Sequence, residues 1–154
     1  MRFGSLGLVS FAAIVIIILF KLELSEDAFK FATFTVASLI GFNLILWTVL
    51  GSDEFKIKAR PIVFLSFLCV IVGMVIGKYG ANVGLKPWIY YPVPLLMNMS
   101  LPPIVLSMNR NQIVAYLLLS FLSAPLIHST FSFFFNWPEY MPFLEIPHYK
   151  TLVN

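Results

Sequence analysis

YYPVPLLMNMSLPP, residues 90–103, places four prolines, an asparagine and a serine in an otherwise apolar, uncharged stretch. The stretch lies inside a longer run without charge, from Pro87 to Asn109. A helix across a hydrocarbon core about 30 Å thick takes around 20 residues, so this run is long enough to cross. Whether it crosses or turns back decides the topology. Pro102 and Pro103 cannot donate to the carbonyls of Asn98 and Met99, and their rings push a helix aside. In lipid those carbonyls must find partners inside the protein. Asn98 and Ser100, within one turn of the prolines, carry side-chain donors, and neighbouring helices can add others. Pro92 and Pro94 fall near the start, where helical amides are unpaired anyway.

The composition places the chain in a bilayer. Hydrophobic residues make up 60% of the 154 and charged residues 11%, with sixteen phenylalanines; the mean hydropathy is +0.92. A soluble domain carries roughly 25% charged residues, and a water-exposed surface this poor in charge would be an aggregation hazard. The net charge of +3 is small and its cations are scattered, which argues against a nucleic-acid partner. The single Cys69 allows no disulfide framework and no cysteine-based metal site.

Charges divide the remainder into apolar runs. Spans are expected at about 3–20, 31–52, 61–77, 88–109 and 112–136 within a transmembrane domain of residues 1–138, followed by an interfacial tail, 139–154. The first run reads as a retained helix, because Glu26 stands where cleavage at Ala28 would want a small residue. The fold class is all-α, a polytopic helical bundle. Five spans are favoured, the fourth broken at Pro102–Pro103 and paired as a hairpin with the fifth. With five crossings Tyr79, Trp88, Tyr90, Tyr91, Trp137 and Tyr140 share one side of the bilayer, as an interfacial belt would. The alternative, four spans and a re-entrant segment, splits them. Basic residues divide evenly in the five-span layout: Arg2, Lys56, Lys58, Arg60 and Arg110 against Lys21, Lys30, Lys78, Lys86 and Lys150. The cluster at 56–60 favours a cytoplasmic amino terminus, in a bacterial inner membrane.

Small residues mark helix packing. Cys69, Gly73 and Gly77 repeat every four positions, and Ala37 and Gly41 make a shorter version; such stripes let backbones approach closely in lipid. Contact within one subunit is favoured over a dimer interface. Gln112, Tyr116, Ser120, Ser123 and Thr130 fall within about 80° of one another on an ideal helix and should face inward. His128 is the only ionisable side chain placed inside a span, which makes it a functional suspect. Counted along their helices, Asn43, Asn98 and His128 have a depth spread of about 8 Å. With Ser100 they form the candidate ligand-binding set, to be read as a functional cluster or as a structural hydrogen-bond knot.

No span holds Asp, Glu, Lys or Arg. There is no histidine cluster for a metal, no Gly-rich phosphate loop and no nucleophile–base–acid set. No catalytic residue, metal or cofactor is therefore expected, and Glu145-x-x-His148 is one copy of a metal-binding element interrupted by Pro147. The expected function is a non-catalytic protein acting through helix packing, such as an accessory subunit, assembly factor or immunity-type protein. Its partners would be the lipid bilayer and another membrane protein or a second copy. The alternatives are a binder or transporter of a small apolar or amphipathic molecule at a mid-membrane pocket and, more weakly, a lipid-modifying enzyme using the tail and the Lys78–Lys86 loop.

Overall fold

Ser25 opens the first helix seen. A computed structural model describes residues 25–137 and 145–153; the expected first span at 3–20 and the start of the tail lie outside the described residues. The Ser25 hydroxyl accepts from the Ala28 amide at 3.4 Å. Glu26 and Asp27 fill the first turn of α1 (Glu26–Leu50), where carboxylates complement the positive helix end. The helix therefore begins ahead of the uncharged run, and Lys30 is accommodated by an ion pair with Glu26 at 3.0 Å. It stops at Gly51, with φ 79° and ψ 165°, a region essentially restricted to glycine.

A short α2 (Ser52–Ile57) leads into a continuous helical rod of 21 residues, Ala59–Tyr79. The rod consists of α3 (Ala59–Leu65), a π-helical turn Ser66–Val72 and α4 (Gly73–Tyr79). Ile62, Leu65, Ser66, Cys69, Val70 and Gly73 are its buried residues. The chain then returns through α5 (Pro87–Tyr90) and α6 (Pro92–Val105). Four contacts fix an antiparallel register along the rod. A Cβ on Gly80 would stand 2.5 Å from the Tyr90 Cβ, and one on Gly73 would stand 3.4 Å from the Pro94 Cβ. Cys69 Sγ lies 3.7 Å from the Met97 carbonyl oxygen, and Lys58 Nζ donates to the Leu106 carbonyl.

α6 runs through Pro102 and Pro103 to Val105, so the expected break is not at these prolines; the interruption falls earlier, at Tyr91, between α5 and α6. Proline φ suits a helix, and what it loses is a hydrogen bond. The end of α6 is a Schellman turn: Met108 N–H donates to Pro103 at 3.0 Å and Ser107 N–H to Ile104 at 3.2 Å, with Ser107 left-handed at φ 47°. That conformation is costly for a residue with a Cβ and free for glycine. Ser107→Gly is accordingly expected to stabilise the protein by about 0.5–1 kcal/mol, read as a shifted unfolding midpoint in mixed SDS micelles; an unchanged or lower midpoint would refute it.

Asn109 and Gln112 form a reciprocal capping box that starts α7 (Arg110–Phe135). This helix packs antiparallel to α1. The Ile127 Cδ1 lies 3.7 Å from where a Cβ on Gly41 would be, and the Phe34 and Phe131 rings are 4.7 Å apart. Asn136, left-handed at φ 57°, folds Trp137 back onto Phe131, stacked at 5.7 Å and 2°. Trp137 also meets Phe29 edge-on at 6.1 Å. Lys78 joins the same end by donating to the Asp27 carbonyl at 3.2 Å. The bundle thus has an aromatic end and a Gly51 end. The tail returns to the aromatic end through Ser132 Oγ, which donates to the Ile146 carbonyl at 3.2 Å, just ahead of α8 (Tyr149–Val153).

Phe42, Leu46, Leu50, Ile62, Leu65, Leu106, Met108 and Tyr116 make the buried core. Every long element also turns large apolar side chains outward, among them Trp47, Phe64, Phe67, Leu96, Phe121 and Leu126. No strand occurs among the described residues.

Candidate functional site

The contact that answers the proline problem joins α6 to α7. Pro102 has no amide hydrogen, so the Asn98 carbonyl one turn earlier loses its helical donor. The Tyr116 hydroxyl stands 2.8 Å from that carbonyl oxygen and 2.9 Å from Asn98 Oδ1. One O–H therefore serves a forked pair of acceptors on a single residue. Tyr116 has no exposed surface, so water cannot compete, and in such surroundings an unmatched carbonyl is expensive. The sequence marked Tyr116 as inward-facing and Asn98 as next to a vacated carbonyl. What it lacked was the register that pairs position 116 with position 98.

Asn43 and Ser100 are held in separate contacts. Asn43 Nδ2 donates to the Ser66 hydroxyl at 3.1 Å and to the Leu39 carbonyl at 2.9 Å. Ser66 in turn donates to the Ile62 carbonyl at 2.8 Å. This chain ties α1 to the first residue of the π turn. Ser100 is exposed, and its hydroxyl bonds back to the Leu96 carbonyl of its own helix at 2.6 Å. His128 is fully buried on α7. It lies twelve positions beyond Tyr116, about 18 Å along the axis at 1.5 Å per residue, on the turn between the contacts with Gly41 and Phe34.

Small residues also divide. Gly73 faces Pro94 and Cys69 faces Met97, both on α6, and Gly41 faces Ile127 on α7. Ala37 is half-buried one turn before Gly41. Gly77 has nothing within 4 Å of a notional Cβ, so it takes no part in the close approach made at Gly73 and Gly80. Along the expected polar stripe of α7, Thr130 is exposed and bonds to the Leu126 carbonyl at 2.8 Å, and Ser123 bonds to Ser120 at 2.8 Å.

A second polar group, not foreseen as a site, ties the Gly51 end together. Glu54 accepts from Lys58 and, at 2.9 Å, from Gln112 Nε2, while Lys58 also reaches the Leu106 carbonyl. One carboxylate and one ammonium thereby connect α2, the end of α6 and the start of α7. The available signals were the i,i+4 spacing of Glu54 and Lys58 and the Asn109-x-x-Gln112 capping pattern. Hydrogen bonds from Lys58 and then Gln112 hold the Glu54 carboxyl below its usual value of 4.5. A lowered carboxyl pKa contributes stability that is present above the unfolded value and lost as pH falls through the folded one. Unfolding followed from neutral pH downward should show stability declining below about pH 4.5, and Glu54→Gln should flatten that decline; an unchanged profile would show that the carboxyl is not engaged.

At the tail, Glu145 is exposed and His148 lies against the Tyr149 ring at 4.5 Å. Among the described residues no three His, Cys, Asp or Glu side chains are grouped to hold a metal ion.

Among the described residues three helices, Glu26–Leu50, Ala59–Tyr79 and Arg110–Phe135, are long and apolar enough to cross a membrane. Fold and site together define the class: an integral membrane protein, helical throughout the described residues, in which Asn98 pairs with Tyr116 and Asn43 with Ser66 across helices. The chain matches no protein-family model, no curated protein and no solved structure.

Proposed function

We propose that this protein is a non-catalytic, five-span membrane protein that acts by packing its helices against a membrane partner or a second copy, as an accessory subunit, assembly factor or immunity-type protein does. One observation carries the reading. The side chains of Asn43, Ser66, Asn98 and Tyr116 engage one another or a helix carbonyl, whereas the outward face of α7 carries Val114, Leu118, Phe121, Leu122 and Leu126, each more than half exposed. The five-span count is supported by the return of α5 and α6 along the full rod Ala59–Tyr79. It is supported again by Tyr79, Tyr90 and Trp137 sharing the aromatic end. The Gly51 end, with four cations against two carboxylates, favours a cytoplasmic amino terminus in a bacterial inner membrane.

The test is purification in a mild detergent. A stoichiometric membrane partner or a homo-oligomer is expected, and a lone monomer would overturn the reading. Burial of His128 favours a second reading, a binder or transporter of a small amphipathic molecule; His128→Ala that alters stability and leaves binding and uptake unchanged would remove it.

A further inference from the structure

We infer that the Gly51 end binds the headgroups of anionic phospholipids through Arg60 and Arg110. The inference is independent of the partner reading above and requires only that the chain sits in a bilayer. Pairing, rather than counting, distinguishes the two ends. At the aromatic end one cation, Lys150 in the tail helix, is exposed without an ion pair, while Lys30 pairs with Glu26. Lys78 donates to the Asp27 carbonyl and lies 4.5 Å from the Phe31 ring centroid, and Lys86 lies over Trp88 at 6.0 Å. At the Gly51 end Asp53 takes Lys56 at 3.6 Å and Glu54 takes Lys58. Arg60 and Arg110 are left, both exposed and without an ion pair among the described residues.

The fold holds these two arginines at one level. Lys58, two positions before Arg60, bonds to Leu106, four positions before Arg110. Glu54 and Gln112 close the same join. At the same end Ile57 is 82% exposed and Trp47, in the last turn of α1, is 51% exposed. An apolar side chain standing free among cations suits the headgroup zone, where it enters the acyl boundary while the charges meet phosphate. A guanidinium pairs with phosphate oxygens through two parallel N–H donors, and its charge does not titrate away. Each basic residue near an anionic membrane surface contributes about 1 kcal/mol, so two together correspond to at least a roughly tenfold preference.

The full chain in a neutral detergent, titrated with phosphatidylglycerol or with phosphatidylcholine of the same chain length, tests this by native mass spectrometry. Phosphatidylglycerol should be retained at least about tenfold more tightly. Arg60→Gln with Arg110→Gln should abolish the preference, Arg60→Lys with Arg110→Lys should retain most of it, and Lys150→Gln should leave it unchanged. Each single glutamine variant should lose part, which keeps the test decisive should the double variant fold poorly. Equal retention of the two lipids, a preference that survives both glutamine substitutions, or displacement of phosphatidylglycerol by an equal concentration of inorganic phosphate would each overturn the assignment.

Discussion

Tyr116→Phe is expected to destabilise the bundle by about 1–2 kcal/mol, a large effect for one oxygen atom inside a membrane. The hydroxyl stands 2.8 Å from the Asn98 carbonyl and 2.9 Å from its side-chain oxygen. Phenylalanine preserves the ring and its packing, so the loss isolates the hydrogen bond. Interhelical hydrogen bonds in lipid are often weak, because the separated helices find other partners. Here the acceptor is a carbonyl whose own helical donor was removed by Pro102, so the alternatives are few. Tyr116→Ala should cost about 3–5 kcal/mol, since it also empties the site of a fully buried ring. Unfolding in mixed SDS micelles measures both. A phenylalanine variant as stable as wild type would mean that the carbonyl has another donor.

The second large effect is expected at Gly80. An added Cβ would lie 2.5 Å from the Ile76 carbonyl oxygen and 2.5 Å from the Tyr90 Cβ. Neither is the end of a flexible side chain, so the junction between α4 and α5 must shift. Gly80→Ala should destabilise by about 2–3 kcal/mol through overpacking. Three residues earlier, Gly77 has open space around it, and the same substitution there should stabilise by about 0.5–1 kcal/mol through backbone entropy and helix propensity. Opposite signs for the two alanines are the outcome to seek in one unfolding assay. Equal effects would contradict the register assigned to α5 and α6.

These two sites show how far the sequence could be read. The Asn98 vacancy follows from the proline rule alone, and the inward stripe through Tyr116 follows from helical periodicity. Joining them needs the offset between α6 and α7, which depends on where the turn after Val105 ends, and that turn rests on Ser107 in a conformation its side chain does not advertise. The long helices were legible from charge placement, and Ser25, a capping residue by type, starts α1 so that Glu26, Asp27 and Lys30 fall in its first turns. The π turn at Ser66–Val72 left no trace in composition or spacing. It places Cys69 and Gly73 against α6, and the expected stripe, drawn on an ideal α-helix, continued to Gly77 without a partner there.

The central claim is that lipid forces polar atoms in this chain to pair with one another, and that Tyr116 supplies the donor that Pro102 removes. A double-mutant cycle between Tyr116→Phe and Pro102→Ala measures it most directly, because alanine at position 102 restores the amide hydrogen that the Asn98 carbonyl lacks. The predicted result is a coupling of about 1 kcal/mol, with the hydroxyl worth clearly less once the amide is present. Additive effects, agreeing within about 0.3 kcal/mol, would contradict it.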